Sequence, residues 1–111
     1  MNITSESHLA ATVLCINGDL TSDNCDRFQR DVRETAENFS SNIIIDCSSL
    51  QLIDSVGLES LLWLTDELTR AGNKLRFAVV PASVESVFEL TRLDRVFSVH
   101  ESVEHAARSF A

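Results

Sequence analysis

The segment most informative about the fold is Asn42-Ile43-Ile44-Ile45-Asp46-Cys47-Ser48-Ser49-Leu50-Gln51-Leu52-Ile53-Asp54-Ser55-Val56-Gly57-Leu58. Three successive isoleucines are typical of a strand buried on both faces, and we predict that strand over Asn42–Cys47. After the break at Ser48-Ser49, the chain is expected to return to the core through Leu50, Leu52 and Ile53. An amphipathic helix follows, so we expect Ser55 at a helix N-terminus, where free backbone N–H groups and the helix dipole favour a phosphate.

Outward from this segment, strands alternate with helices. We predict strands over Ala11–Asn17, Leu75–Val80 and Val96–Val99, with a short edge strand over Ile3–Ser5. Helices are predicted from an N-cap at Thr21 or Ser22 to the Ser40-Ser41-Asn42 cluster, from Ser55 to Ala71 with Gly72 as C-terminal cap, after Ser83, and after Ser102. The order β-β-α-β-α-β-α-β-α predicts one α/β domain, residues 1–111, with a mixed, mostly parallel central sheet and about four helices.

The helix that follows Asp54 has an apolar and a polar side at 100° per residue. The apolar side gathers Leu58, Leu61, Leu62, Thr65 and Leu68, with Gly57 and Leu64 at its edge. The opposite side is predicted to carry Val56, Glu59, Ser60, Trp63, Glu67 and Arg70. Trp63, the single tryptophan, is then either covered by another element or an exposed anchor for a partner, since tryptophan is enriched at binding hot spots.

Composition and charge narrow the class of partner. The formal net charge is −8, with 17 acidic against 9 basic residues. This balance argues against nucleic acid and against an anionic membrane surface, and it suits a basic partner surface. The sequence has no run of about 18 apolar residues and no secretory signal pattern, so a cytoplasmic location is expected.

Few residues suggest catalysis or metal binding. Cys15, Cys25 and Cys47 have neither disulfide nor zinc spacing, and we expect Cys15 and Cys47 to be core thiols rather than redox groups. The histidines share no metal-ligand spacing, and we predict no metal or cofactor. Gly57 stands without a lysine or further glycines, so it indicates a close approach of backbone or partner rather than a phosphate-binding loop.

The segment Asp46–Leu58 resembles the signature of the STAS domain, which bacterial anti-sigma factor antagonists and sulfate transporters share. The likeness continues through the Gly18-Asp19-Leu20 turn, Ala71-Gly72-Asn73-Lys74-Leu75, Pro81, Leu90-Thr91-Arg92-Leu93 and Phe97-Ser98-Val99. The resemblance implies the STAS fold and a regulatory protein without enzyme activity. It also implies that Ser55 is phosphorylated by an anti-sigma factor that is a serine kinase. The unphosphorylated form would bind this kinase and free the sigma factor, and a PP2C-type phosphatase would restore it.

The surface next to Ser55 is therefore the expected partner-binding site. Its expected members are Asp54, Val56, Gly57, Glu59, Ser60 and Trp63. Asp54 is either an acid that favours the helix dipole or a contact to the kinase and its ATP-bound metal.

Three positions depart from the family pattern. Val56 replaces a frequent second Ser or Thr, which leaves Ser55 as the only acceptor in the motif. Thr21 replaces an acid, and Arg92 replaces a glycine, which suggests a different cap geometry there.

Other interpretations of the chain stay open at this point. Ser55 could serve only as a helix cap. A STAS module could instead control a non-sigma target, such as an ABC transporter subunit, a kinase–phosphatase pathway or a secretion system. A small nucleotide-binding protein is the third alternative.

Overall fold

The computed structural model describes residues 1–110. These residues form a mixed α/β fold, with helices packed on a central sheet. Its strands are β1 (Asn2–His8), β2 (Ala11–Leu20), β3 (Ile43–Asp46), β4 (Leu50–Ile53), β5 (Leu75–Ala78) and β6 (Val99–His100). Its α-helices are α1 (Cys25–Thr35), α2 (Ser55–Arg70), α3 (Ala82–Leu90) and α4 (Val103–Arg108), and a 3₁₀ turn spans Leu93–Arg95. The predicted number of helices is confirmed within residues 1–110. None of the helices in this part of the chain has the length and apolarity required to cross a bilayer.

The sheet has the strand order β1-β2-β3-β5-β6, and β4 pairs with β2 beyond the end of β3. Strands β2, β3, β5 and β6 run parallel, as do β2 and β4. Only the β1–β2 hairpin is antiparallel among the described strands, with His8 opposite Ala11. The prediction of a mostly parallel sheet with an antiparallel N-terminal pair is therefore confirmed.

The two faces of the sheet are covered unequally. On one face, Leu14, Ile16, Ile43, Ile45 and Phe77 pack in one cluster with buried side chains of α1, α2 and α3. The other face packs Ala11, Val13, Ile44 and Ala78 against Ala106 and Ala107 of α4. Alternate residues of β3 thus enter two cores, which explains the uninterrupted run of isoleucines.

Several strand bounds differ from the prediction, and the differences at β2 and β4 affect the position of Ser55. β2 continues through Gly18 to Leu20, because a register shift between Gly18 and Asp19 lets the strand change partner from β3 to β4. The segment Leu50–Ile53 forms strand β4, where no strand was predicted. Leu50 and Ile53 are buried as expected, but Leu52 is 55% exposed, so its predicted place in the core is wrong.

The N-cap differs from the predicted residue in α1 and α3 and agrees with it in α4. α1 begins at Cys25 with Asn24 as N-cap, because the longer β2 moves the turn past Thr21 and Ser22. α3 begins at Ala82 with Pro81 as N-cap, which places Ser83 inside the helix. The Ser102 cap of α4 is confirmed, since its hydroxyl accepts the His105 N–H.

The C-terminal third contains a shorter strand than predicted. Val96 and Phe97 follow the 3₁₀ turn, and the strand is limited to Val99–His100. Arg92 has φ 64°, the left-handed conformation that favours glycine. The substitution of arginine for glycine therefore retains a glycine-like backbone here, and the expected change of cap geometry is wrong at this position.

The cysteines divide between core and surface. Cys47 is fully buried, and burial together with neighbouring Asp46 raises the pKa of its thiol to about 12. Cys15 is only half-buried, which corrects its predicted place in the core. Burial and the acids Asp46 and Glu6 raise the pKa of the Cys15 thiol, so both thiols stay protonated and poorly reactive.

Candidate functional site

Asp54 caps helix α2 and sets the position of Ser55. The backbone of Asp54 is extended, at φ −107° and ψ −176°, and its Oδ1 accepts the Gly57 N–H at an N···O distance of 2.8 Å. Aspartate is among the best residues for this task, because its oxygen satisfies an N–H group that has no partner inside the helix. Ser55 is consequently the first residue of α2, next to the cap, and Asp54 is the cap itself.

The second carboxylate oxygen of Asp54 reaches a different element. Oδ2 accepts the Ser22 N–H at 3.0 Å, across the turn that joins β2 to α1. The Gly57 and Ser22 N–H groups lower the pKa of the Asp54 carboxyl below its ordinary value, so it is ionised at neutral pH. Through these two bonds Asp54 positions the start of α2 against the turn before α1.

Gly57 is required by the packing of α2 against the end of β2. A Cβ atom at this position would lie 2.2 Å from the Leu20 carbonyl oxygen and 2.8 Å from Cγ1 of Ile53. Asp54 donates its own N–H to the same Leu20 oxygen at 3.3 Å. The close approach expected at Gly57 is thus made by the chain's own backbone, and Gly57 is buried, which corrects its expected place in a partner surface.

Ser55 is exposed, with its side chain at the solvent-facing start of α2. None of the hydrogen bonds found among residues 1–110 uses its hydroxyl, so the group is accessible to another protein. Val56 beside it is half-buried, and Glu59, one turn further along the helix, is exposed. The structure therefore brings Asp54, Ser55, Val56 and Glu59 together at one end of α2.

Ser60 lies on the inner side of α2, contrary to the prediction. It is only 2% exposed, and its hydroxyl donates to the Val56 carbonyl oxygen at 3.2 Å. This bond to the preceding turn satisfies the hydroxyl, so the serine can be buried at small cost. Leu62, expected to face the core, is instead 37% exposed.

Trp63 is half-buried between α2 and the end of α1. Its ring meets Phe39 edge to face, with 5.8 Å between centroids, and the Arg33 guanidinium carbon lies 5.3 Å from the ring centroid. These contacts agree with the alternative that another part of the chain covers Trp63. The expectation of an exposed anchor at Trp63 is corrected, because Arg33 of α1 supplies a cationic partner and Phe39, beyond the end of α1, an aromatic one.

The turn Thr21–Asn24 belongs to the same surface and was missed by the sequence prediction. Asn24 stabilises it internally by accepting the Thr21 N–H at 3.0 Å and donating to the Asp19 carbonyl oxygen at 2.8 Å. Ser22 and Asp23 are exposed, and the bond to Asp54 brings them close to the start of α2. The available signal was the Asx-rich run before Cys25, but only the fold shows that Asp54 reaches it.

The electrostatics around Ser55 are negative. The segments Thr21–Asn24 and Asp54–Glu59 contain Asp23, Asp54 and Glu59 and no lysine or arginine. A phosphate on Ser55 would therefore have the free N–H groups at the start of α2 as its main favourable contacts within these segments. Within residues 1–110 no cluster of three or more metal-ligating side chains exists.

Four cavities of the domain lie away from Ser55, which lines none of these four. One cavity of about 380 Å³ lies between the β1–β2 hairpin and the end of α1, with Thr12 and Thr35 among its lining residues. These residues belong to the amino end of the parallel strands, whereas Ser55 lies at their carboxyl end. The surface at Ser55 is thus suited to recognition by a protein rather than to enclosing a small molecule.

Comparison with known proteins places this geometry in a family. The family model described as STAS domain matches residues 2–106. BtrV of Bordetella bronchiseptica (strain ATCC BAA-588 / NCTC 13252 / RB50), whose name proposes the role of anti-sigma factor antagonist, is 24% identical over 110 residues, which cover 99% of this chain and 95% of BtrV.

Solved structures share the fold. A Thermotoga maritima protein (tm1081), whose name also proposes an anti-sigma factor antagonist, has a TM-score of 0.87 at 20% identity and covers 96% of this chain and 92% of its own. The Bacillus cell fate determinant SpoIIAA in its phosphorylated form has a TM-score of 0.69 at 16% identity, covering 97% of this chain and 99% of SpoIIAA.

Proposed function

This chain belongs to the STAS domain family, and from that premise we propose that it is an anti-sigma factor antagonist that acts by partner switching. In this proposal residues 1–111 work as one cytoplasmic domain. The domain binds an anti-sigma serine kinase while Ser55 is unphosphorylated and releases it once Ser55 is phosphorylated. A PP2C-type phosphatase returns the domain to its binding form.

The observation that carries the proposal is the exposed Ser55 hydroxyl at the first position of α2. It follows the capping residue Asp54 directly, makes no hydrogen bond of its own among the described residues, and has no hydroxyl-bearing neighbour at Val56. A kinase could reach this oxygen without unfolding the helix. The similarity to BtrV, whose name proposes this role, and to a protein solved in a phosphorylated form supports the same function.

Release of the kinase follows from local electrostatics. A phosphate adds about −1.5 to −2 charges at neutral pH, next to the ionised Asp54 and one turn from Glu59. A partner surface that closes over a neutral hydroxyl would then have to bury this charge without a counter-charge from the segments Thr21–Asn24 and Asp54–Glu59. The N–H groups at the start of α2 stabilise the phosphate within the domain, so we expect the fold to be kept while binding is lost.

We propose a binding footprint that differs in part from the one expected from the sequence. Ser55, Val56 and Glu59 present it directly, and Asp54 holds it in place. Gly57, Ser60 and Trp63 support it from the interior, because each is buried or covered by another element. The exposed Ser22 and Asp23 extend it across the turn before α1.

Phosphorylation by a candidate kinase tests the proposal. The purified chain is incubated with an anti-sigma serine kinase and ATP, and the modified residue is located by peptide mass spectrometry. We expect one phosphate on Ser55 and none in Ser55→Ala, whereas Ser83→Ala, which removes an exposed serine from α3, keeps full labelling. Equal labelling of Ser55→Ala and the unaltered chain would contradict the assignment of Ser55.

A further inference from the structure

The Asp54 carboxylate connects two parts of the surface that are separate in sequence. Oδ1 accepts the Gly57 N–H inside the first turn of α2, at 2.8 Å, and Oδ2 accepts the Ser22 N–H in the turn Thr21–Asn24, at 3.0 Å. The two bonds differ in their exposure to solvent. Gly57 is buried against Leu20, whereas the bond to Ser22 is exposed to solvent.

The turn Thr21–Asn24 has few other ties to α2. Its remaining hydrogen bonds are to itself, to the end of β2 and to the start of α1: Thr21 N–H to Asn24 Oδ1, Asn24 N–H to Thr21 O, Asp23 N–H to Thr21 Oγ1, Asn24 Nδ2 to Asp19 O, Cys25 Sγ to Ser22 O, and Phe28 N–H to Asn24 O. Among the hydrogen bonds of the described residues, the bond from Ser22 to Asp54 is the one that joins residues 21–24 to α2. Leu20, directly before the turn, is fixed by its pairing with Ile53 and by the Asp54 N–H bond to its carbonyl oxygen. Beyond Leu20, one carboxylate oxygen holds the turn next to Ser55.

We propose that Asp54 couples the phosphorylation state of Ser55 to the turn Thr21–Asn24, so that a phosphate on Ser55 breaks the Ser22–Asp54 hydrogen bond and frees the turn. The inference rests on the proposed function in one respect, since it takes Ser55 as the modified residue. Phosphorylation would then change two parts of the recognition surface. It adds charge at α2 and loosens the turn that carries Ser22 and Asp23.

The bond to Ser22 would break because the phosphate on Ser55 and the Asp54 carboxylate are neighbouring anions. A phosphate on Ser55 is attached to the residue next to Asp54, and two adjacent anions then compete for the same backbone N–H donors. The buried Gly57 N–H is held in place by the helix, so the exposed bond to Ser22 is the weaker of the two. No lysine or arginine in either segment offsets the added charge. Asp54 acts here as a positioning residue, through the turn, and does not itself touch the reacting atoms.

Amide hydrogen exchange measured by NMR tests the coupling directly. Phosphoserine is installed at position 55 by an expanded genetic code, so the experiment requires neither the kinase nor the phosphatase. We expect exchange at the Ser22 amide to become about tenfold faster than in the unmodified chain, the effect of losing one hydrogen bond to a charged acceptor. The Asn24 and Phe28 amides, which bond within the turn and α1, should change less than twofold. Phosphoserine at Ser83, an exposed serine in the first turn of α3, is the matched control and should leave Ser22 unchanged.

The variant Asp54→Ser separates coupling from a direct effect of the phosphate. Serine still caps α2 but offers one short oxygen, so it cannot also reach Ser22. In this variant Ser22 should exchange rapidly before phosphorylation and change less than twofold after it. Asp54→Asn, which keeps the side-chain length without the charge, replaces it if circular dichroism shows that Asp54→Ser is unfolded.

Three results would overturn the coupling. The first is an unchanged Ser22 amide in the phosphorylated chain. The second is an equal acceleration in Asp54→Ser, which would show that the phosphate acts on the turn without Asp54. The third is equal acceleration at Ser22, Asn24 and Phe28, which would show general loosening of the region. Each differs from failure of the proposed function, in which a kinase would bind phosphorylated and unphosphorylated chains equally.

Discussion

Trp63 is a packing residue of the α1–α2 contact, and this changes what its removal should do. Its ring meets Phe39 edge to face and lies beneath Arg33. We expect Trp63→Ala to lower the free energy of unfolding by about 2–3 kcal/mol, below the range for a fully buried ring because Trp63 is half-buried. Urea denaturation followed by circular dichroism measures this loss. Trp63→Phe, which keeps an aromatic edge for Phe39, should lose less than half as much. An unchanged midpoint in Trp63→Ala would return Trp63 to the role of an exposed anchor.

Gly57 is the residue at which one added carbon should do most harm. The Cβ of Gly57→Ala would lie 2.2 Å from the Leu20 oxygen, which belongs to the backbone and cannot rotate away. We expect a loss of about 3 kcal/mol or more in the free energy of unfolding, at the upper end of overpacking effects. Thermal and urea unfolding measure it, with Val56→Ala in the same turn as the control for a small change. A loss below about 1 kcal/mol would show that α2 can shift away from β2.

The sequence could predict the residues whose role is local. A serine after an aspartate at the start of an amphipathic helix indicates an N-terminal position for Ser55 whatever packs around it. Ser60 and Trp63 could not be placed in this way. A helical wheel counts serine as polar, whereas the bond from Ser60 to the Val56 carbonyl lets it enter the core. The cover over Trp63 comes from Phe39, which lies 24 positions away in the sequence and is brought near only by the tertiary fold.

The turn between β1 and β2 contains strain that can be removed by substitution. Leu9 and Ala10 have φ of 48° and 68°, the left-handed values of a two-residue hairpin turn that Asn-Gly satisfies best. Leu9 is 68% exposed, so its side chain contributes little to packing. We expect the double change Leu9→Asn and Ala10→Gly to raise the free energy of unfolding by about 1–2 kcal/mol. Thermal unfolding would show a higher midpoint, and an unchanged or lower midpoint would show that Leu9 makes a stabilising contact.

Docking of α4 onto the sheet should depend on the protonation of His100. Its ring Nε2 lies 2.9 Å from the Ser98 hydroxyl, and burial, Arg76 on β5 and His105 on α4 lower its pKa below the ordinary value of about 6.5. The unfolded chain therefore takes up the proton first, and stability falls as pH decreases below about 6.5. We expect His100→Gln to show a smaller fall in melting temperature between about pH 7.5 and pH 5. His105→Gln removes one of the repelling groups and should give an intermediate result. An identical pH profile for His100→Gln and the unaltered chain would contradict this role of His100.

Helices and strands could be predicted from the sequence where their apolar residues recur with a single period. The predictions of β3 and α2 were correct. Burial on both faces gives β3 a continuous run of isoleucines, and burial of one stripe gives α2 a helical spacing of apolar residues. β4 was missed, since four residues with burial at only their two ends show neither alternation nor a continuous buried run. The start of α1 was misplaced for a related reason, because the partner change of β2 at Gly18 lengthens the strand in a way that no local pattern shows.

At the scale of the whole molecule, the mostly parallel sheet brings Ser55 and the turn Thr21–Asn24 together at its carboxyl edge. Strand β4 directly precedes Ser55, and β2 directly precedes the turn. The two strands pair in parallel, so their carboxyl ends lie on the same side of the sheet. The alternation of strands and helices predicted the mostly parallel sheet, but not the β2–β4 pairing that brings the turn next to Ser55. The net charge of −8 suits a basic partner, and phosphorylation adds to it at the proposed interface.

The affinity of the anti-sigma serine kinase for four forms of the chain tests the central claim most directly. The forms carry serine, phosphoserine, alanine or aspartate at position 55, and calorimetry measures each dissociation constant at one ionic strength. The account predicts that Ser55 and Ser55→Ala bind with similar affinity, that Ser55→Asp binds at least tenfold more weakly, and that the phosphorylated chain binds at least a hundredfold more weakly, about 3 kcal/mol. Equal affinity of the phosphorylated and unphosphorylated chains would contradict it.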